Sequence, residues 1–171
     1  MKSDAVIQRK ANDLLRKSGV EAPPVPIVAV AEALGATILF ENVSDDISGG
    51  LYRRPEGPAI GVNAQHHPNR QRFTIAHEIG HLVLHESEDY FIDRTFRRDS
   101  VSSAAIDEVE IEANKFAAAL LMPKNYVQAS VEAYAQTLRS EDVEQLARHY
   151  KVSQQAMTLR LINLGVQLDQ S

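Results

Sequence analysis

Phe-Thr-Ile-Ala-His-Glu-Ile-Gly-His-Leu-Val-Leu-His, residues 73–85, combines helical periodicity with side chains that bind metal ions. Its centre, from His77 to His81, is an H-E-x-x-H motif. Residues four apart lie on one face of a helix, so the imidazoles of His77 and His81 can point at a common atom. Two imidazoles in this spacing suit zinc, and Glu78 between them suits a general base.

A helical wheel at ~100° per residue separates the polar from the apolar side chains of this run. Apolar residues fill most of the wheel, and one sector holds the polar side chains Thr74, His77, Glu78, His81 and His85. Such a pattern predicts a buried helix over about residues 70–85. Burial of two histidines and a glutamate is unfavourable without partners, and a bound metal ion would remove that penalty. The alternative is a core helix whose histidines are only hydrogen-bonded.

A second helix, predicted over about residues 104–121, offers a third ligand. A catalytic zinc site usually has three protein ligands, and the acidic candidates in this helix are Asp107, Glu108, Glu110 and Glu112. Several apolar side chains lie within about 40° of Glu110 on the wheel, namely Ile106, Ala117 and Leu121. Glu110 is therefore predicted to face inward and to bind the metal, unless an arginine pairs with it.

The neighbours of Glu110 have different predicted roles. Asn114, one turn further on, is placed to hold a metal ligand by a hydrogen bond. Glu108 and Glu112 fall on the opposite side of the wheel with Lys115, on a face predicted to be solvated. The substitution Glu110→Ala is therefore expected to lower the metal content, whereas Glu112→Ala is not.

Three more histidines lie near the motif. His85 continues the spacing, but it lies about 12 Å along the helix axis from His77, too far to share an ion with Zn–N distances near 2.1 Å. We expect His85 at the helix C-terminus, where the helix dipole favours it. His66 and His67 are adjacent on a polar loop, and we expect both at the surface.

Composition limits the class of protein. Of 171 residues, 44% are hydrophobic and 24% are charged, which is typical of a globular domain. The net charge of −5 argues against direct binding of nucleic acid. With no cysteine, a metal must be held by histidine and carboxylate. No apolar run approaches the ~20 residues needed to cross a membrane, and no signal peptide is recognisable, so we expect a cytoplasmic protein.

The remaining segments predict how the chain is organised. Three strand-like runs, 36–41, 50–54 and 59–63, predict a small antiparallel sheet, with a turn at residues 45–50. Its free edge either binds a peptide by strand addition or faces solvent. Residues 86–103 lack a clear pattern, and they either cover the metal site or form a solvated insertion.

The C-terminal region resembles a helix-turn-helix, with helices near 141–149 and 154–163. Its charges from residue 141 onward are slightly acidic, comprising Glu141, Asp142, Glu144 and Asp169 against Arg148, Lys151 and Arg160. Phosphate contact is therefore not expected. We expect residues 1–123 to form the catalytic core, and residues 124–171 to pack on it or to dock the substrate.

Arg72 to His85, followed by Glu-Ile-Glu-Ala-Asn-Lys-Phe-Ala-Ala-Ala-Leu-Leu-Met-Pro at residues 110–123, resembles the ImmA/IrrE metallo-endopeptidases. The resemblance covers roughly residues 27–165. It implies an α+β, mostly helical, zincin-like metallopeptidase domain with a C-terminal helical segment. It also implies a cytoplasmic protease that cuts a helix-turn-helix repressor and so derepresses genes. By position, His77, His81 and Glu110 would be the metal ligands and Glu78 the catalytic glutamate.

The expected reaction is metal-assisted hydrolysis of a peptide bond. The metal, zinc by default with manganese as an alternative, would activate a water and polarise the carbonyl. Glu78 would take the proton of the water and pass it to the leaving amine. Candidate donors to the oxyanion are Tyr52, Tyr126, His149, Tyr150 and Arg160. Two other classes remain open, a non-catalytic metal-binding regulator and a DNA-binding protein, and the sequence does not indicate an oligomeric state.

Overall fold

The computed structural model describes residues 1–85, 90–94, 104–134 and 137–169, with the backbone alone described at 90–94 and 104–107. The first half contains three helices and four strands, and the third helix carries the motif: α1 Asp4–Lys17, α2 Ile27–Ala33, β1 Thr37–Glu41, β2 Ile47–Tyr52, β3 Ala59–Asn63, α3 Pro68–Leu84 and β4 Tyr90–Arg94. The second half is mainly helical: α4 Ala104–Leu121, α5 Lys124–Val131, β5 Thr137–Leu138, α6 Ser140–Tyr150, α7 Gln154–Asn163 and β6 Gln167–Leu168. The α+β class predicted from the sequence is confirmed.

The main sheet has four strands in the order β1-β3-β2-β4. The predicted antiparallel pairing holds for β2 with β3, and β4 also joins β2 antiparallel, but β1 runs parallel to β3. The strand β3 forms a hairpin with β2 and is inserted between β2 and β1. Because β1 and β2 run in opposite directions, as do β2 and β3, the neighbours β1 and β3 run parallel. The strand β4 falls within the segment predicted to be patternless, whose other residues lie outside the described ranges.

The strand β2 begins at Ile47, inside the turn predicted at residues 45–50, and Gly49 lies within it. A Cβ atom at Gly49 would lie 2.5 Å from Cγ2 of Thr74 on α3 and closer still to the Gly61 carbonyl oxygen. The glycine therefore marks a close approach of α3 to the sheet, which is a known use of glycine within a strand. From composition alone, Gly49 and Gly50 were predicted to belong to a turn.

The motif helix α3 is buried along most of its length, as predicted. It packs against the sheet on one side and against α4 on another. At the second contact, a Cβ atom at Gly80 would lie 3.1 Å from Cα of Ala113 and 3.1 Å from its carbonyl oxygen. The missing side chain at Gly80 thus lets the two helices that carry the predicted metal ligands approach closely.

The C-terminal helices share the core with the rest of the chain. Arg160 on α7 is buried and donates to the Met122 carbonyl oxygen at 2.9 Å and to Oε1 of Gln8 at 2.8 Å. Asn69 on α3 donates to the Val152 carbonyl oxygen at 3.1 Å. One hydrophobic cluster runs from Ile7 on α1 to Leu161 on α7. The division of the chain at residue 123 stays a prediction. In the described ranges, no helix is both long and apolar enough to cross a bilayer.

Candidate metal centre

His77, His81 and Glu110 converge where α3 meets α4. Nε2 of His77 lies 3.0 Å from Nε2 of His81 and 3.1 Å from Oε2 of Glu110. Nε2 of His81 lies 3.4 Å from Oε1 of Glu110. Within the described part of the chain, these three residues form the group of His and acidic side chains with the geometry to hold a metal ion. The structure thus brings together the three residues predicted as ligands.

The outer nitrogens of both imidazoles have partners that orient the rings. Nδ1 of His77 lies 3.0 Å from Oδ1 of Asn114, the residue predicted to hold a ligand. Because an amide oxygen can only accept, His77 donates its Nδ1–H and keeps a lone pair on Nε2. Nδ1 of His81 lies 3.3 Å from Nδ1 of His85. Both rings therefore direct Nε2 towards Glu110.

The donor set fits a small divalent cation. Two donors that each lie ~2.1 Å from a tetrahedral ion are separated by ~3.4 Å. The donor separations here, 3.0, 3.1 and 3.4 Å, are close to that value. Two imidazole nitrogens and one carboxylate are hard-to-intermediate ligands that suit zinc, and they also accept manganese. Such a set of converging acceptors is stabilised by a cation at its centre.

Electrostatics keep Glu110 ready to act as a ligand. Burial on its own would raise the pKa of Glu110, but its close contacts with the imidazoles of His77 and His81 outweigh it and lower the pKa to about 2. The carboxylate is therefore ionised at neutral pH. Its side chain is 25% exposed, whereas that of His77 is 4% exposed, so the donors are open to solvent on the Glu110 side. Glu78 follows His77 on α3 and is fully buried.

Glu112 corrects the wheel-based prediction. It was expected on a solvated face, but it is only 4% exposed. Its Oε2 lies 3.0 Å from Nζ of Lys2 and 3.0 Å from Nε2 of His85, and its Oε1 accepts from the Lys2 backbone N–H. The N-terminal residues cover this face of α4, and a single-helix wheel cannot include them. Glu108, on the same side, is exposed as predicted.

His85 lies at the C-cap of α3, the end of the helix where it was expected. It is not in the group that converges on the metal position. It is, however, only 8% exposed and contacts both His81 and Glu112. Desolvation on burial lowers the pKa of His85 below its ordinary value, despite the opposing effect of the hydrogen bond that His85 donates to Glu112. The i, i+4 spacing of His81 and His85 could have predicted their contact. The distance of His85 from His77 along the helix axis excluded only a shared metal ion.

His66 is a second correction. It was predicted at the surface, but it is 7% exposed, and its Nε2 lies 3.1 Å from Oδ1 of Asp45 and 3.3 Å from Nδ2 of Asn63. Asn63 also donates to the Ile47 carbonyl oxygen, so His66 belongs to the packing of the loop that leads into β2. Its neighbour His67 is exposed and caps the start of α3.

Three of the five candidate oxyanion donors have partners elsewhere. The Tyr126 hydroxyl donates to the Val20 carbonyl oxygen at 2.8 Å, and the Tyr150 hydroxyl lies 2.9 Å from Oγ of Ser130. Arg160 is held by Met122 and Gln8, as described above. Tyr52 lies at the end of β2 and is 43% exposed, and the roles of Tyr52 and His149 stay predictions.

A groove of about 780 Å³ lies between α3, α4 and α7. Asn114, which contacts His77, forms part of its wall. Apolar side chains from all three helices also line it, including Phe73, Ala118 and Leu159. Leu159 is 56% exposed, so the groove presents apolar surface to solvent.

The fold and the site define a small α+β metal-binding domain in which two adjacent helices supply two histidines and a glutamate. A family model described as the IrrE N-terminal-like domain, Peptidase_M78, matches residues 31–161. The chain belongs to this metallopeptidase family, as its motifs predicted.

Relatives agree with this assignment. The chain is 36% identical over 100 residues to the radiation response metalloprotease IrrE of Deinococcus radiodurans, covering 58% of this chain and 29% of that protein. It is 37% identical over 100 residues to the protein of the same name from Deinococcus deserti, covering 58% of this chain and 34% of that protein. The chain thus spans about a third of the length of these relatives.

A solved structure gives a likeness in fold. A Mycobacterium tuberculosis transcriptional regulator superposes with a TM-score of 0.64 at 19% sequence identity. The match covers 91% of this chain and 46% of that chain.

Proposed function

We propose that this protein is a cytoplasmic zinc-dependent endopeptidase that hydrolyses a peptide bond in a protein substrate. The observation that carries the proposal is the convergence of Nε2 of His77, Nε2 of His81 and the Glu110 carboxylate beside the H-E-x-x-H glutamate. Three protein ligands leave a coordination position for water, which is the arrangement of catalytic rather than structural zinc sites. Membership of a metallopeptidase family supports the same conclusion.

Each residue of the site has a distinct task in this proposal. When bound, the metal supplies Lewis-acid activation of the water and of the scissile carbonyl. Glu78 takes the proton of the attacking water and delivers it to the leaving amine nitrogen. His77, His81 and Glu110 hold the metal. Asn114 accepts the Nδ1–H of His77 and so fixes the ring in the orientation that directs Nε2 inward.

We infer that the substrate is a helix-turn-helix transcriptional repressor, whose cleavage switches on the genes that it silences. The sequence resemblance supports this choice, and two relatives are named as radiation response metalloproteases. The groove between α3, α4 and α7 would hold an apolar part of the substrate, because the apolar side chains of Phe73 and Leu159 line it. Asn114 also lines it and contacts the ligand His77.

The direct test is to incubate the protein with the repressor encoded beside its gene, in the presence of zinc or manganese. We expect two repressor fragments that appear with time and that are absent after chelation of the metal. Mass spectrometry of the fragments gives the cleaved bond. An intact repressor after prolonged incubation with the metal-loaded protein would contradict the proposed substrate.

Two other classes of function make different predictions. A non-catalytic regulator would bind the metal and a partner but would leave the partner intact. A DNA-binding protein would shift labelled DNA in a gel at physiological salt, which the slightly acidic C-terminal helices disfavour. The proposed peptidase predicts cleavage of protein and no shift of DNA.

A further inference from the structure

We propose that His85 and Glu112 position the metal ligand His81 through a chain of two hydrogen bonds that sets which nitrogen of each ring carries the proton. The proposal rests on the metal site proposed above. The chain begins at His81, whose Nδ1 lies 3.3 Å from Nδ1 of His85. It continues through Nε2 of His85, which lies 3.0 Å from Oε2 of Glu112. All three side chains are almost completely buried.

The direction of the hydrogen bonds follows from Glu112. Three donor groups surround its carboxylate, namely Nζ of Lys2 at 3.0 Å, the Lys2 backbone N–H and Nε2 of His85 at 3.0 Å. An ionised carboxylate only accepts, so Nε2 of His85 carries a hydrogen and donates it. In the neutral ring, Nδ1 of His85 then has the lone pair.

The lone pair on Nδ1 of His85 determines the tautomer of His81. The Nδ1 atom of His85 accepts, so Nδ1 of His81 must carry the hydrogen and donate it. The lone pair of His81 is then on Nε2, the atom that faces His77 and Glu110. The reversed tautomer would place a hydrogen on that atom and would block its use as a ligand. Asn114 does the same for His77, so each ligand histidine has its own orienting partner.

The arrangement also links both ligand helices to the start of the chain. Glu112 is on α4, two residues beyond Glu110, and His85 ends α3. Lys2 lies just before α1 and holds Glu112 by its backbone and its side chain. Glu112 was predicted on a solvated face. In the structure it holds His85, and through His85 it positions the metal ligand His81.

The tautomer of His85 tests the proposal in the unaltered protein. With zinc bound, imidazole nitrogen NMR of labelled protein should show His85 protonated at Nε2 and unprotonated at Nδ1. The reverse pattern, with the hydrogen on Nδ1, would overturn the proposal. This measurement requires no substitution, so it stays decisive if a variant fails to fold.

Zinc affinity in two variants provides the second readout. Removal of a group that orients a metal ligand typically lowers metal affinity by about 10- to 100-fold. We expect a loss of that size for Glu112→Gln, which removes the charge, and for His85→Phe, which keeps a ring of similar volume. Glu108→Gln is the matched control, because Glu108 is an acidic residue of the same helix with 53% of its side chain exposed, and its affinity should stay within about twofold of the wild type.

Affinity should be measured by chelator competition, with the melting temperature of each metal-free variant recorded in parallel. Wild-type affinity in both Glu112→Gln and His85→Phe would overturn the proposal. These readouts are independent of peptide cleavage. A protein that binds zinc through the intact chain of hydrogen bonds and cleaves nothing would contradict the proposed peptidase while leaving this inference in place.

Discussion

Gly80→Ala places one methyl group between the two helices that carry the metal ligands. The added Cβ would lie 3.1 Å from Cα of Ala113, 3.1 Å from its carbonyl oxygen and 3.4 Å from its Cβ. Carbon atoms in favourable contact are ~3.5–4.0 Å apart, so α3 and α4 must separate by a few tenths of an ångström. The obstructing atoms are mostly backbone, so a side-chain rotation cannot relieve the contact.

The expected magnitude follows from two opposing effects of Gly80→Ala. Overpacking of this kind costs about 1–3 kcal/mol, and replacing a helical glycine by alanine returns about 1 kcal/mol. The metal-free variant should therefore be destabilised by no more than about 2 kcal/mol. The metal site is more sensitive, because ligand distances tolerate only ~0.2 Å. Ala113 is three residues from Glu110, so zinc affinity should fall by about tenfold, or ~1.4 kcal/mol.

Chelator competition measures the zinc affinity, and urea unfolding of the metal-free protein measures the stability. Gly61→Ala is the matched control, because its added Cβ would meet Cε2 of Tyr52 at an ordinary contact distance of 3.5 Å. It should bind zinc as the wild type does. Unchanged zinc affinity in Gly80→Ala would refute the argument that close packing of α3 on α4 sets the separation of the ligands.

Three further predictions test the site and its surroundings. Glu110→Ala should lower bound zinc well below one ion per chain, whereas Glu108→Ala should not; equal zinc contents by atomic absorption would contradict the ligand assignment. Leu159→Asp should reduce kcat/KM for the substrate by about 10- to 150-fold, because burial of a leucine side chain is worth about 1.5–3 kcal/mol. Ile162→Asp is the control, because Ile162 is 55% exposed on the same helix and does not line the groove, and a similar loss there would exclude the groove as the binding surface. Burial would raise the pKa of Glu112, but hydrogen bonds from Lys2 and His85 lower it from 4.5 to about 2, so its contribution to stability is present above pH 4.5 and is lost as the pH falls towards 2. Urea unfolding of metal-free Glu112→Gln should therefore show a flatter pH dependence than the wild type over this range; an equally steep dependence would contradict the assignment.

The sequence was sufficient for the parts of the site that depend on one helix at a time. The spacing of His77 and His81 and the inward face of Glu110 are properties of α3 and α4 alone, so periodicity predicts them. The helix bounds agree for the same reason, with α4 at Ala104–Leu121 as expected. Asn114 lies one helical turn after Glu110 on the same face of α4, so its position beside His77 could also be predicted.

Features that depend on contacts between distant segments could not be predicted in this way. Glu112 is buried because Lys2 covers it, and no wheel of α4 contains that information. The parallel pairing of β1 depends on β3 lying between β1 and β2, which local patterns do not specify. From the local sequence, Gly49 resembles a turn residue, and its close approach to Thr74 on α3 is visible only in the folded structure.

The central claim is that Glu78 moves a proton in a metal-dependent hydrolysis and does not hold the metal. A paired measurement of bound zinc and of repressor cleavage in Glu78→Gln tests it most directly. The substitution keeps the size of the side chain and removes the base, whose contribution is typically 10²–10⁴-fold in rate. We expect one zinc ion per chain, as in the wild type, and cleavage reduced by at least about a hundredfold. Cleavage at the wild-type rate by zinc-loaded Glu78→Gln would contradict the account.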